Sequence, residues 1–81
     1  MKISYAPKFK RSFANFQKKV KSKFYKQASY LLKNLRHPSL KAKKYSEKQG
    51  IWQARVDKST RFYFLIKADQ YILLDIKKHP K

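Results

Sequence analysis

Apolar residues recur along this chain at two different periods. Near the start, "KISY" alternates, with Ile3 and Tyr5 on one face, and predicts a short strand. Pro7 then suits the first turn of a helix, where a missing N–H costs nothing. From there Phe9, Phe13, Phe16 and Val20 fall at helical spacing, and Phe24, Ala28, Leu31 and Leu35 continue the stripe. One unbroken helix over that span would be ~42 Å long. A compact chain of this length has a diameter of only ~30 Å. The pattern therefore predicts a break around residues 19–22, with Ser22 as N-cap, and a helical hairpin with an aromatic inner face and lysines outside. A basic amphipathic helix also suits a membrane surface, but an aromatic stripe at this spacing is the ordinary mark of a core face.

"NLRHPSL" ends the second helix, because His37 before Pro38 is pushed out of helical geometry. "KAKKYSEKQG" reads as a basic loop closed by Gly50. The remainder is rich in aromatic and branched residues and predicts three strands, with turns around residues 57–60 and 68–70.

Side chains alternate along a strand, so parity assigns the faces. Trp52, Ala54 and Val56 share one face in the first of these strands, Phe62, Phe64 and Ile66 in the second, and Ile72, Leu74 and Ile76 in the third. A one-residue slip would expose a whole set. Pairing like parity requires an odd number of loop residues in each hairpin. The second hairpin is then expected to pair Lys67 with Tyr71 and Arg61 with Lys77. In the first, Arg61 falls opposite Arg55 or Asp57. The odd face carries Arg55, Arg61, Tyr63, Asp75 and Lys77, with His79 one step further along. Asp75 offers a salt bridge to Arg61 or Arg55, but one acid does not balance so many cations. An open, anion-binding face is the expectation.

Charge strengthens that expectation. The 81 residues hold 22 Lys and Arg against 4 Asp and Glu, a formal net charge of +18, and residues 1–46 contain no carboxylate. Self-repulsion at this density favours a polyanionic partner. Length allows one small domain with a thin core. Without cysteine there is neither a disulfide framework nor a thiolate metal site, which fits a cytoplasmic setting. No apolar run is long enough for a bilayer, and the first residues lack the shape of a signal peptide. The chain has no Gly-rich phosphate loop, no paired carboxylates and no metal-ligand cluster, and neither a metal nor a cofactor is expected. What remains is Arg, Lys, His and Tyr around an anion site. That kit suits cleavage of an RNA backbone: a base takes the 2′-OH proton, cations stabilise the crowded phosphate, and an acid protonates the leaving oxygen.

The segment "HPSLKAKKYSEKQGIWQARVDKSTRFYFLIKADQYILLDIKKH" resembles the RelE/ParE superfamily of toxins from bacterial type II toxin–antitoxin pairs. The shared features are a helical hairpin, a lysine-rich loop, Trp52 with Arg55, Arg61 opening an aromatic strand, and a last strand ending on His79. The resemblance implies a single α+β domain over residues 1–81 in the order β-α-α-β-β-β, with the helical hairpin packed on one face of a small antiparallel sheet. Many RelE-type members are endoribonucleases that cut mRNA in the ribosomal A site. By resemblance, Arg61 would stabilise the scissile phosphate, Arg55 would hold the RNA backbone, and His79 would be the acid/base. Lys43 and Lys44 match loop lysines on which some relatives rely; their other role would be ribosomal RNA docking or solubility. Lys77, Lys78 and Tyr63 complete the RNA-binding candidates. Relatives with a catalytic loop glutamate would place it near Ala42, and Glu47 is off that register. Pro80 follows His79 where some relatives carry a base-stacking aromatic; of Tyr63 and Tyr71, only Tyr63 shares a face with Arg61. The implied partners are the ribosome, mRNA and an acidic cognate antitoxin, with no membrane. The alternatives are a ParE-type inhibitor of DNA gyrase without catalysis, and a non-toxic nucleic-acid binder on the same scaffold.

Overall fold

The computed structural model describes residues 1–79; Pro80, and with it the position of the stacking aromatic, lies outside them. The elements in chain order are β1 (Lys2–Tyr5), α1 (Pro7–Ala14), α2 (Lys18–Lys33), β2 (Lys43–Ser46), β3 (Ile51–Arg55), β4 (Thr60–Lys67) and β5 (Gln70–Lys78). The described residues measure 31 × 26 × 26 Å, so the long helical stripe does fold back on itself. The break falls between Ala14 and Lys18, ahead of the expected place, and Ser22 lies inside α2. The end of α1 decides the position. Asn15 donates its backbone N–H to Ser12 (3.2 Å) and its side-chain amide to Arg11 (3.4 Å), closing the helix there.

The five strands are ordered β1-β5-β4-β3-β2. The sheet is mixed, because β1 runs parallel to β5 while the other pairs are antiparallel. Tight hairpins force β3, β4 and β5 to alternate. β1 reaches its neighbour β5 only through both helices and the three strands between them, a connection long enough for parallel pairing. The stretch read as a basic loop supplies the edge strand β2. Lysines hid it from a hydrophobic pattern, yet they are the residues that suit a sheet edge.

Phe24 of α2 sits fully buried at the centre of the core. Its ring lies 5.3 Å from Phe9, 5.2 Å from Phe13 and 5.5 Å from Phe62, in tilted and edge-on geometries. Leu31, Leu40, Ala54, Phe64, Leu73 and Ile76 are among the buried residues that fill the layer between helices and sheet.

The β3–β4 ladder pairs Arg55 with Arg61 and Gln53 with Tyr63, the odd-loop register expected from parity. The β4–β5 hairpin differs. Lys67 pairs with Gln70 across a tight turn in which Ala68 takes a positive φ of 55°, so the expected Lys67–Tyr71 pair is not formed. A bulge corrects the offset further along: Phe64 faces Leu73 and Tyr63 faces Asp75, leaving Leu74 unpaired. Tyr71 and Leu73 therefore enter the core in place of Ile72 and Leu74, while Ile76 keeps its expected place. The run "YILL" is apolar at every position, so parity could not choose between its two faces. Beyond the bulge, Arg61 faces Lys77 as expected.

Candidate active site

The outer faces of β3 and β4, not covered by helix, bring Gln53, Arg55 and Arg61 side by side. Edge strand β2 supplies Lys43, Lys44 and Tyr45, and Lys41 precedes it with φ 46°. His79 follows the last residue of β5, and its N–H donates to the Ser59 carbonyl at 2.6 Å, tying that end of the chain to the β3–β4 turn. These eight residues line one cleft of about 570 Å³. No carboxylate is among them.

Arg61 is the best-held cation. Only 6% of it is exposed, and its Nη1 donates to the carbonyl oxygens of Asp57 (2.6 Å), Thr60 (3.1 Å) and Lys58 (3.3 Å). Those carbonyls fix the guanidinium but leave its charge uncompensated. Arg55 is anchored through its backbone: its N–H donates to Leu40 O, and its carbonyl accepts from Gln27 Nε2, both at 2.8 Å. Gln27 is itself held by Ser39, whose hydroxyl donates to Oε1 at 2.7 Å. The second histidine, His37, stacks on Tyr30 at 3.8 Å and accepts the Ser39 N–H through Nδ1, so it braces the loop after α2.

Asp75 does not bridge to either arginine. It turns toward α1, where it accepts a 2.6 Å hydrogen bond from Ser12 Oγ and pairs with Lys8 at 3.5 Å. The other ion pair among the described residues joins Lys23 to Asp57 at 3.8 Å. Burial alone would raise the Asp57 carboxyl. Hydrogen bonds from Ser59 and Thr60, together with the Lys23 ammonium, outweigh it and hold its pKa below the ordinary value.

Five of the residues singled out from sequence, Lys43, Lys44, Arg55, Arg61 and His79, thus meet in one cleft. Tyr63 and Lys77 line an adjoining pocket instead, with Lys77 Nζ 5.5 Å from the centre of the Tyr63 ring. Lys78 is exposed and lines neither. Lys44 lies 5.2 Å from the Trp52 ring centre, a contact that steadies it at the rim. Sequence reasoning missed Lys41, Gln53 and Tyr45 as site residues. Gln53 was signalled by its parity with Arg55; Lys41 and Tyr45 carried no signal while β2 was read as a loop.

No protein-family model matches the chain, and no curated protein matches it significantly. Solved structures do. A YoeB/ParE toxin from Agrobacterium tumefaciens, 12% identical, superposes with a TM-score of 0.81 over 99% of this chain and 100% of the other. A YoeB dimer from Staphylococcus aureus, 18% identical, gives 0.82 over 99% and 98%. A RelB–RelE antitoxin–toxin complex from Methanococcus jannaschii, 12% identical, gives 0.74 over 93% and 88%. At such low identity the likeness is one of architecture, and it extends from end to end: the chain has the fold of the RelE/ParE toxins.

Proposed function

We propose that this chain is the toxin of a toxin–antitoxin pair and acts as a ribosome-dependent endoribonuclease on mRNA. The observation that carries the reading is the cleft itself: five cations and a histidine converge on it with no carboxylate among the lining residues. In this reading the scissile phosphate sits against Arg61 and Arg55. A base removes the proton from the 2′-OH, the O2′–P bond forms, and the P–O5′ bond breaks as the leaving oxygen takes a proton. The products are a 2′,3′-cyclic phosphate and a 5′-OH. The immobilised guanidinium of Arg61 stabilises the extra negative charge of the pentacovalent phosphorane, the role in which preorganised donors contribute most. His79, at the rim of the cleft, carries one of the two proton transfers. The lysines of β2 and the loop before it hold the flanking phosphates.

The excess of positive charge supports docking on ribosomal RNA, a backbone-charge problem with steep salt dependence. The same excess supports an acidic antitoxin as the neutralising partner; the similar toxin RelE from M. jannaschii was solved in complex with the antitoxin RelB. Primer extension on mRNA from a translating extract tests the reading. Cuts that require both this protein and ribosomes support it. Intact mRNA together with blocked gyrase supercoiling would replace it by the ParE-type alternative.

A further inference from the structure

Beside the cationic cleft lies a second opening of about 210 Å³ of a different character. Ile51, Tyr63 and Leu74 contribute apolar surface to it, and Lys8, Lys77 and Asp75 supply its charged groups. Tyr45 lines both openings. Its position follows from an irregularity in the sheet. Lys44 pairs with Trp52 and Ser46 with Ile51, so Tyr45 is the extra residue of a bulge in β2. Bulges re-aim side chains, and this one sets the Tyr45 ring 4.9 Å from Tyr63 in edge-on contact. Tyr45 remains 60% exposed. Tyr63 cannot offer an equivalent surface, because Lys77 covers its ring and Tyr45 abuts it.

An exposed aromatic ring on the rim between a cationic cleft and a partly apolar pocket has the chemistry that recognises unstacked single-stranded RNA. Lysines and arginines track the backbone while bases splay out onto aromatic faces. We propose that the pocket is a nucleobase subsite and that Tyr45 is its stacking platform, taking the base of a nucleotide that adjoins the phosphate held in the cleft. The inference rests on the nuclease reading and adds to it a residue that determines how substrate is gripped.

Fluorescence anisotropy with a short labelled oligoribonucleotide, made uncleavable by 2′-O-methyl groups, tests it. A matched series lacks one base at a time. Tyr45→Ala is expected to weaken binding by about 5- to 150-fold, the loss of one base stack, and Tyr45→Phe to bind like wild type. Removing one particular base should cost the wild type the same factor and cost Tyr45→Ala nothing. Unchanged affinity in Tyr45→Ala, or losses that simply add, would overturn the subsite and leave the nuclease reading standing. So would a loss confined to binding of an acidic amphipathic peptide, which assigns the pocket to a protein partner. No affinity of the wild type for any of these oligonucleotides would also overturn the subsite, while the nuclease reading stands or falls by the ribosome-dependent cuts in primer extension.

Discussion

Arg55 and Arg61 face each other across the β3–β4 ladder, and among the described residues neither is neutralised by a carboxylate. Like charges directly opposite on neighbouring strands destabilise a sheet. Replacing Arg55 by Gln should therefore raise stability by about 0.2–1 kcal/mol at low salt, and the gain should shrink as salt screens the pair. Urea titrations at two ionic strengths measure it. A substitution that stabilises the fold while weakening RNA binding is the mark of a residue kept for its ligand.

Asp75 serves the fold and not the cleft. Replacing Ser12 by Ala removes the 2.6 Å hydrogen bond to its buried carboxylate and should cost about 1–3 kcal/mol. The exposed Lys8 contact should matter far less. Equilibrium unfolding of Ser12→Ala and Lys8→Ala gives the comparison.

The tight β4–β5 turn holds Ala68 at φ 55°, a conformation that L residues adopt only at a cost. Ala68→Gly should stabilise the protein by up to about 1 kcal/mol, less the greater freedom glycine gives the unfolded chain. A loss of stability on thermal unfolding would contradict the observed turn.

Asp57 makes stability depend on acid. Its folded pKa lies below the ordinary 3.8, so its contribution is present above that value and is lost as pH falls through the lower, folded value. Thermal unfolding of wild type and Asp57→Asn between neutral and strongly acidic pH should show an advantage for wild type that fades below 3.8.

The helical pair, the aromatic core stripe and the shared face of Arg55 and Arg61 were legible in the sequence, because each rests on a strong period with one apolar face; Lys77 comes opposite Arg61 only because the bulge offsets the two-residue turn. The rest was hidden where the pattern is degenerate. "YILL" offers two equivalent apolar faces, so the bulge at Leu74 is invisible until the sheet is assembled. Strand β2 is a charged edge, and a strand with little to bury leaves no hydrophobic signature. With β2 unread, Tyr45 could not be placed beside Tyr63. Asp75 sat on the cationic face by parity, and only α1, packed against β5, shows where its carboxylate is held.

The central claim is that Arg61 and His79 act on a phosphate held in the cleft. The rate of mRNA cutting in a translating extract, compared among wild type, Arg61→Ala and His79→Ala, tests it most directly. Cleavage should fall by about 100- to 1,000-fold without Arg61 and about 100- to 10,000-fold without His79, with both variants folded. Full cleavage by both variants would contradict the account.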